Sequence, residues 1–176
     1  MTLPQKLVKE SLTTMTELVL PNDTNTLNNL MGGKMMHWMD IVSAIAAQKF
    51  SNHIVVTASV DNVSFSQPIK LGNVVTLQAH VTRSFNTSME VAIEVWGEDI
   101  PAGVRYLSNK AFFTFVAMDK NGKPARVPEA VPETEAEKDL FASALRRRQL
   151  RLILAGRMKP HDANELKAIF DIEKQQ

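Results

Sequence analysis

The 176-residue chain contains no cysteine, and that absence alone excludes disulfides, a thiolate nucleophile and cysteine-ligated zinc. It also lacks an excess of either charge: 20 Lys and Arg against 19 Asp and Glu leave a formal net charge of +1. Whole-molecule electrostatics therefore cannot draw it to nucleic acid or to an anionic membrane, and neither is expected as a partner. No long uncharged apolar run is present. The first twenty residues hold Lys6, Lys9, Glu10 and Glu17 where a signal peptide needs a continuous apolar core, so a cytoplasmic location is expected. The four histidines, at positions 37, 53, 80 and 161, are not spaced as metal ligands, so no metal is expected. There is no G-x-S-x-G elbow, no Walker loop before Lys34 and no internal repeat.

What is present is ordinary for a globular chain, 44% apolar and 22% charged, with length for one well-buried domain and little more. The segment "TELVLP" (16–21) reads as a short strand stopped by Pro21, and the Asn- and Asp-rich "NDTNTLNN" (22–29) as a loop. A helix is expected over residues 33–49, about four and a half turns. Its apolar residues wrap too far round for a surface helix, so it should be enclosed. The period then changes to two. "VVTLQAHVT" (74–82) and "MEVAIEVW" (89–96) alternate, and "FNTS" (85–88) links them as a hairpin. "RYLSNKAFFTFVAM" (105–118) is a further long strand, and "IVVTASVDNVSF" (54–65) is one whose apolar phase slips near Asp61 and Asn62, as at a bulge. One buried helix followed by strands in short succession predicts an α+β domain over residues 1–132, with an antiparallel sheet curled around the helix. Beyond the Pro-punctuated "PARVPEAVPE" (124–133) the character shifts to charged helix, a C-terminal helical extension over residues 133–176.

Asp40 stands inside the apolar helix, followed by Ile41, Val42, Ala44, Ile45, Ala46 and Ala47. An acid there reaches solvent at one edge, or it is buried with partners and a purpose, because an unpartnered buried carboxylate costs several kcal/mol. A general base is such a purpose. Gly32 and Gly33 at the helix start are a turn, or they are bare amides backed by the helix dipole for a developing oxyanion or a phosphate. From Gly33 to Asp40 is about 10.5 Å along the axis at 1.5 Å per residue. The acid and the amides of one helix therefore cannot serve one reacting atom, and a catalytic site built from both requires two copies of the helix.

The ordered set "DTN…GG…MD" (23–40), "VTASVD" (56–61), "TRSFNTSMEV" (82–91) and "AFFTFVAMD" (111–119) resembles the hotdog-fold acyl-CoA thioesterases. The resemblance extends over residues 10–130 and is greatest to the branch holding the bacterial single-domain and the tandem brain-type hydrolases. It implies a long central helix wrapped by a curved antiparallel sheet, and hydrolysis of fatty acyl-CoA to free acid and CoA with no cofactor, coenzyme A being part of the substrate. It also implies Asp40 as general base or nucleophile. Asn25, fifteen positions earlier, and the Gly32 amide of the neighbouring subunit would hold the thioester carbonyl. Ser59 resembles the Ser or Thr that relatives use at the start of the second strand, and is equally a plain strand residue. Gly33 would lie beside the substrate, and Arg83, Ser84, Asn86, Thr87 and Ser88 would border the CoA groove. The resemblance further implies a homodimer and commonly a trimer of dimers. Two positions depart from the pattern: Asn28 stands where Gly is frequent and Met31 where His is frequent. The basic run that contains Arg146, Arg147, Arg148 and Arg151 is a solvated face, a clamp for nucleotide phosphates or a subunit contact. The competing functional class is a hotdog module that binds acyl-CoA, RNA or a protein without catalysis.

Overall fold

In a computed structural model, residues 4–61 and 63–172 are described. The chain divides into two compact units, Met1–Val131 and Pro132–Gln176. The first unit holds a five-stranded antiparallel sheet and one long helix. Its elements are strand β1 (Gln5–Leu7), strand β2 (Thr13–Leu18), helix α1 (Gly32–Ser51), and strands β3 (Ile54–Val60), β4 (Val74–Ser84), β5 (Ser88–Asp99), β6 (Val104–Met118) and β7 (Glu129–Val131). The sheet order is β2-β4-β5-β6-β3, and α1 packs against all five strands. This is the hotdog arrangement.

Period-two alternation decides the core. Val75, Leu77, Ala79 and Val81 of β4 and Met89, Val91, Ile93 and Val95 of β5 are buried, and Phe113 and Phe115 of β6 stack in the same interior with ring centroids 6.3 Å apart. From α1, Met39, Val42, Ala46, Ala47 and Phe50 complete it. The small side chains of the two alanines leave room for the sheet to approach the helix. The helix ends at Asn52 in the left-handed region, with its N–H on the Gln48 carbonyl, a conformation Asn tolerates better than other non-glycine residues.

The structure departs from the sequence expectation in four places. The helix runs over Gly32–Ser51, slightly longer than expected. It is also not enclosed: Ile41 and Ile45 are 37% and 40% exposed. The first long strand stops at Leu18, and Pro21 opens a 3-10 turn instead of closing the strand. Strand β3 ends at Val60, and its register slips between Thr57 and Ser59. Asn62, the other residue expected at the slip, lies outside the described residues. The β4–β5 hairpin closes as expected, with the Phe85 N–H on the Ser88 carbonyl at 2.8 Å.

The second unit is helical, with α2 (Glu135–Leu154) and α3 (Asn164–Ile172). Thr134 caps α2: its hydroxyl accepts from the Glu137 N–H at 3.2 Å, and the Glu137 carboxylate accepts from the Thr134 N–H at 2.9 Å. This reciprocal pair is legible as "TEAE" in the sequence. The Leu166 N–H, at the start of α3, donates to Gln149 Oε1 of α2 at 2.9 Å.

Candidate active site

Asp40 lies half-buried on α1, and the Thr57 hydroxyl donates to its Oδ1 at 2.7 Å. The sheet register explains why Thr57 reaches it. Thr57 pairs with Phe115, whose ring is in the core, and directly paired residues share a face of the sheet. One extra residue, Ala58, then enters the strand, and Ser59 pairs with Thr114. Thr114 alternates with Phe113 and Phe115, so it and Ser59 belong to the opposite face. Ser59 is therefore not brought to Asp40, and the hydroxyl that reaches the carboxylate is that of Thr57. The expectation that Asp40 is surrounded by apolar side chains also fails. Ile41 and Ile45 leave one side of the helix open, and the carboxylate has a hydroxyl partner on one oxygen and an acceptor, Oδ2, remaining.

Asn25 sits in a tight loop between the 3-10 turn Pro21–Asp23 and α1. Its Oδ1 accepts from the Leu27 N–H at 2.9 Å and from the Asn29 N–H at 3.2 Å, and its own N–H donates to the Asn29 carbonyl at 2.8 Å. With the oxygen committed to its own loop, the Nδ2 hydrogens are what the side chain has to offer a ligand, which makes Asn25 a donor. Asn28 at the loop tip has φ +56°. The position requires left-handed backbone, which Gly and Asn both provide, so the departure at Asn28 keeps the loop geometry. The loop is stitched to the following segment by Leu30 N–H to Ile69 carbonyl at 2.7 Å and Leu71 N–H to Asn28 carbonyl at 2.9 Å.

Gly32 and Gly33 are the first two residues of α1, and the N-cap, Met31, has no side-chain group to satisfy the first-turn amides. Those amides point out of the helix end with the dipole behind them. A Cβ on Gly32 would meet the Phe65 ring at 3.2 Å, whereas one on Gly33 would meet nothing within 4 Å. The ring's loop is itself clasped by β6. Ser108 Oγ donates to the Gln67 carbonyl at 2.9 Å, Tyr106 Oη donates to the Pro68 carbonyl at 3.0 Å, and Asn109 Nδ2 donates to the Ser64 carbonyl. Sequence reasoning missed this clasp, although the polar pair Ser108–Asn109 inside an apolar strand was its signal. Burial, and then the charge of Asp99, push the Tyr106 hydroxyl's pKa up, so it stays a neutral donor.

Sequence reasoning also missed Asp23. Its carboxylate accepts from the Leu20 N–H at 3.0 Å and pairs with Lys34 Nζ at 3.1 Å. The Leu20 N–H first, and Lys34 after it, hold its pKa below the usual carboxylate value against the opposing effect of desolvation.

Gly32 and Asp40, eight residues apart on one helix, are separated by about 12 Å of axial rise. One chain does not bring the carboxylate and the amides together. The hairpin residues have structural duties: Ser84 Oγ accepts from the Ala130 N–H at 2.8 Å, the Asn86 carbonyl from Val127 at 3.2 Å, the Thr87 carbonyl from Ala117 at 2.9 Å, and the Ser88 carbonyl closes the turn. The Arg83 guanidinium lies 6.0 Å from the Phe85 ring centroid. In the second unit Arg147 donates to Ser143 Oγ at 2.7 Å and to the Leu140 carbonyl at 2.9 Å. Burial, then the charges of Arg151 and Arg157, pull the Arg148 pKa down. A cavity of about 300 Å3 lined by Pro68, Asn73, Asp99, Val104 and Tyr106 contains none of the expected site residues.

The sequence pattern of the thioesterase superfamily matches residues 27–103. The chain is similar to an uncharacterised acyl-CoA thioester hydrolase of Bacillus subtilis, 44% identical over 79% of this chain and 81% of that one. A crystal structure of an apo-hexameric acyl-CoA thioesterase is similar in fold with a TM-score of 0.84 and 40% identity, covering 86% of this chain and 97% of that chain. An acyl-CoA hydrolase from Staphylococcus aureus, solved with butyryl coenzyme A, coenzyme A and coenzyme A disulfide, gives a TM-score of 0.80 at 33% identity over 98% of this chain and 99% of that one. That enzyme has also been solved with an Asp, an Asn or a Thr replaced by Ala. In its sequence the Asn stands fifteen positions before the Asp and the Thr seventeen after it.

Proposed function

The chain belongs to the acyl-CoA thioester hydrolases of the thioesterase superfamily, and on that premise we propose that its active site is assembled between two copies. Asp40 and Thr57 come from one, Asn25 and Gly32 from the other. The observation that carries this reading is the separation of Gly32 and Asp40 by about 12 Å of axial rise on one helix, and the Thr57–Asp40 hydrogen bond at 2.7 Å supports the half contributed by one chain. Asn25, Asp40 and Thr57 also reproduce the fifteen- and seventeen-residue separations of the three positions replaced in the Staphylococcus aureus hydrolase.

Hydrolysis converts acyl-CoA and water into a carboxylic acid and the CoA thiol. Thr57 fixes one Asp40 oxygen, and Oδ2 takes the proton of the attacking water or itself attacks the carbonyl carbon. As the carbonyl oxygen gathers negative charge, Gly32 N–H and Asn25 Nδ2–H donate to it. Each well-placed donor of this kind is worth about 3 kcal/mol of barrier. The C–S bond then breaks and CoA leaves as the thiolate. On the general-base route it takes up the proton held by Asp40. On the nucleophilic route it leaves a mixed anhydride on Asp40, which water hydrolyses to the free acid and the regenerated carboxylate, with the remaining proton going to the thiolate. The Arg83 hairpin is the proposed border of the CoA groove.

The exposed apolar face supports the two-chain assembly. Ile41 and Ile45 on α1, and Ile54 on β3 at 69% exposure, lie open. Strand β3 is an edge of the sheet with one side unpaired, an arrangement that invites another chain. Mixing inactive variants tests it. Asn25→Ala chains combined with Asp40→Asn chains give mixed dimers with one intact site, restoring about a quarter of wild-type thiol release under random pairing. If each chain held a whole site, the mixture would stay inactive.

A further inference from the structure

Asp23 and Lys34 bracket the two donors assigned to the thioester carbonyl. Asp23 stands two residues before Asn25, and Lys34 two residues after Gly32. Asp23 is only 7% exposed, and three of its atoms are committed to three different places. Oδ2 accepts from the Leu20 N–H at 3.0 Å, Oδ1 faces Lys34 Nζ at 3.1 Å, and the backbone carbonyl accepts from the Met31 N–H at 2.9 Å. One residue thus joins the chain entering the loop, the first turn of α1 and the residue just before Gly32. Lys34 is held on its other side, with Nζ 5.4 Å from the ring centroid of the buried Trp38. A lysine in the first turn of a helix opposes the dipole. Its ammonium is stabilised at this position by the Asp23 carboxylate on one side and the Trp38 ring on the other.

Two donors serve one oxygen only if both lie within about 3 Å of it. Asn25 is on a loop and Gly32 is on a helix, so something must fix the distance between loop and helix. Resting on the two-chain site proposed above, we infer that the Asp23–Lys34 ion pair is that brace, and that both are positioning residues for the thioester carbonyl. Neither touches substrate. Their effect is on the mutual placement of the Asn25 amide and the Gly32 N–H, and it falls on the transition state, where the oxygen carries charge. Displacements well under an ångström matter there, since one of about an ångström costs up to a hundredfold in rate.

The test compares Asp23→Asn, Lys34→Met and the double variant in thiol release from a short acyl-CoA, with thermal midpoints measured in parallel. Asp23→Asn keeps an acceptor for the Leu20 N–H and removes only the charge, and Lys34→Met keeps the length of the stem. Each single variant is expected to lower kcat about tenfold with KM little changed. The double variant should be no worse than either single one, and Lys34→Arg should recover most of the loss. A fall in thermal midpoint with wild-type kcat, or a change confined to KM, would overturn the brace. If Asp23→Asn does not fold, Lys34→Met, which alters a partly exposed side chain, gives the answer alone. Asp40→Asn separates the two levels of the argument. Normal turnover by Asp40→Asn refutes the two-chain site itself, whereas an inactive Asp40→Asn beside a fully active Lys34→Met refutes only the brace.

Discussion

Thr57→Val is the substitution that bears hardest on the site. Valine keeps the β-branched shape and the strand preference of threonine, and loses only the hydroxyl that donates to Asp40 Oδ1 at 2.7 Å. Thr57 lies on the exposed edge strand and not in the packed core, so the change should leave the thermal midpoint near that of the wild type. The loss should appear in the rate. A hydrogen bond to a charged group contributes about 1.5–3 kcal/mol, and each 1.36 kcal/mol of barrier is tenfold. If the bond holds the carboxylate in its reacting orientation, kcat falls about ten- to a hundredfold. Thr57→Ser keeps the hydroxyl and should retain most of the activity. Ser59→Ala is the control, because Ser59 is a strand neighbour that the bulge turns to the other face. Steady-state thiol release from one acyl-CoA, with all three variants at matched protein concentration, measures the set. Wild-type kcat in Thr57→Val, or a larger loss in Ser59→Ala, would refute the register argument and the role of Thr57 together.

Five further outcomes are expected. Asp40→Asn should reduce thiol release by several orders of magnitude while circular dichroism stays that of the wild type. Gly32→Ala should lower both activity and stability, because its Cβ meets the Phe65 ring at 3.2 Å. Gly33→Ala meets nothing and should raise the thermal midpoint slightly, through a helix preference worth up to about 1 kcal/mol. Ile45→Glu, at a 40% exposed position on the open face of α1, should lower the oligomeric state in sedimentation and take activity with it. The pKa of Asp23 is depressed in the folded chain, so its contribution to stability is complete above its unfolded value of about 3.9 and is lost as pH falls through the folded value. The gap in thermal midpoint between wild type and Asp23→Asn should therefore hold from neutral pH down to about pH 5 and close below about pH 4.

Much of the fold was readable because each element advertises its period. β4 and β5 alternate cleanly, and β6 is a long strand. Where two rules met, the reading went astray. Strand β3 carries Thr57 and Ser59 two residues apart, which by strict alternation puts both on one face. Only its pairing with β6 shows that Ala58 is an extra residue and that the two hydroxyls point opposite ways. The Asp23–Lys34 pair was invisible for a similar reason. The two residues lie eleven positions apart across a loop whose closure depends on the backbone of Asn25, Asn28 and Asn29 and on residues 69–71.

By itself, the sequence determined which residues could carry the chemistry. A lone acid in an apolar helix, a Gly pair at its start and an Asn fifteen residues before the acid are fixed by the order of the chain. So is the axial distance on which the proposed two-copy site rests, because helical rise per residue does not depend on context. Tertiary structure alone decided which hydroxyl meets Asp40, which face of α1 stays open, and what ties the Asn25 loop to the helix. Those are settled by pairing and packing between segments remote in sequence, where one added residue in a strand reverses every side chain after it.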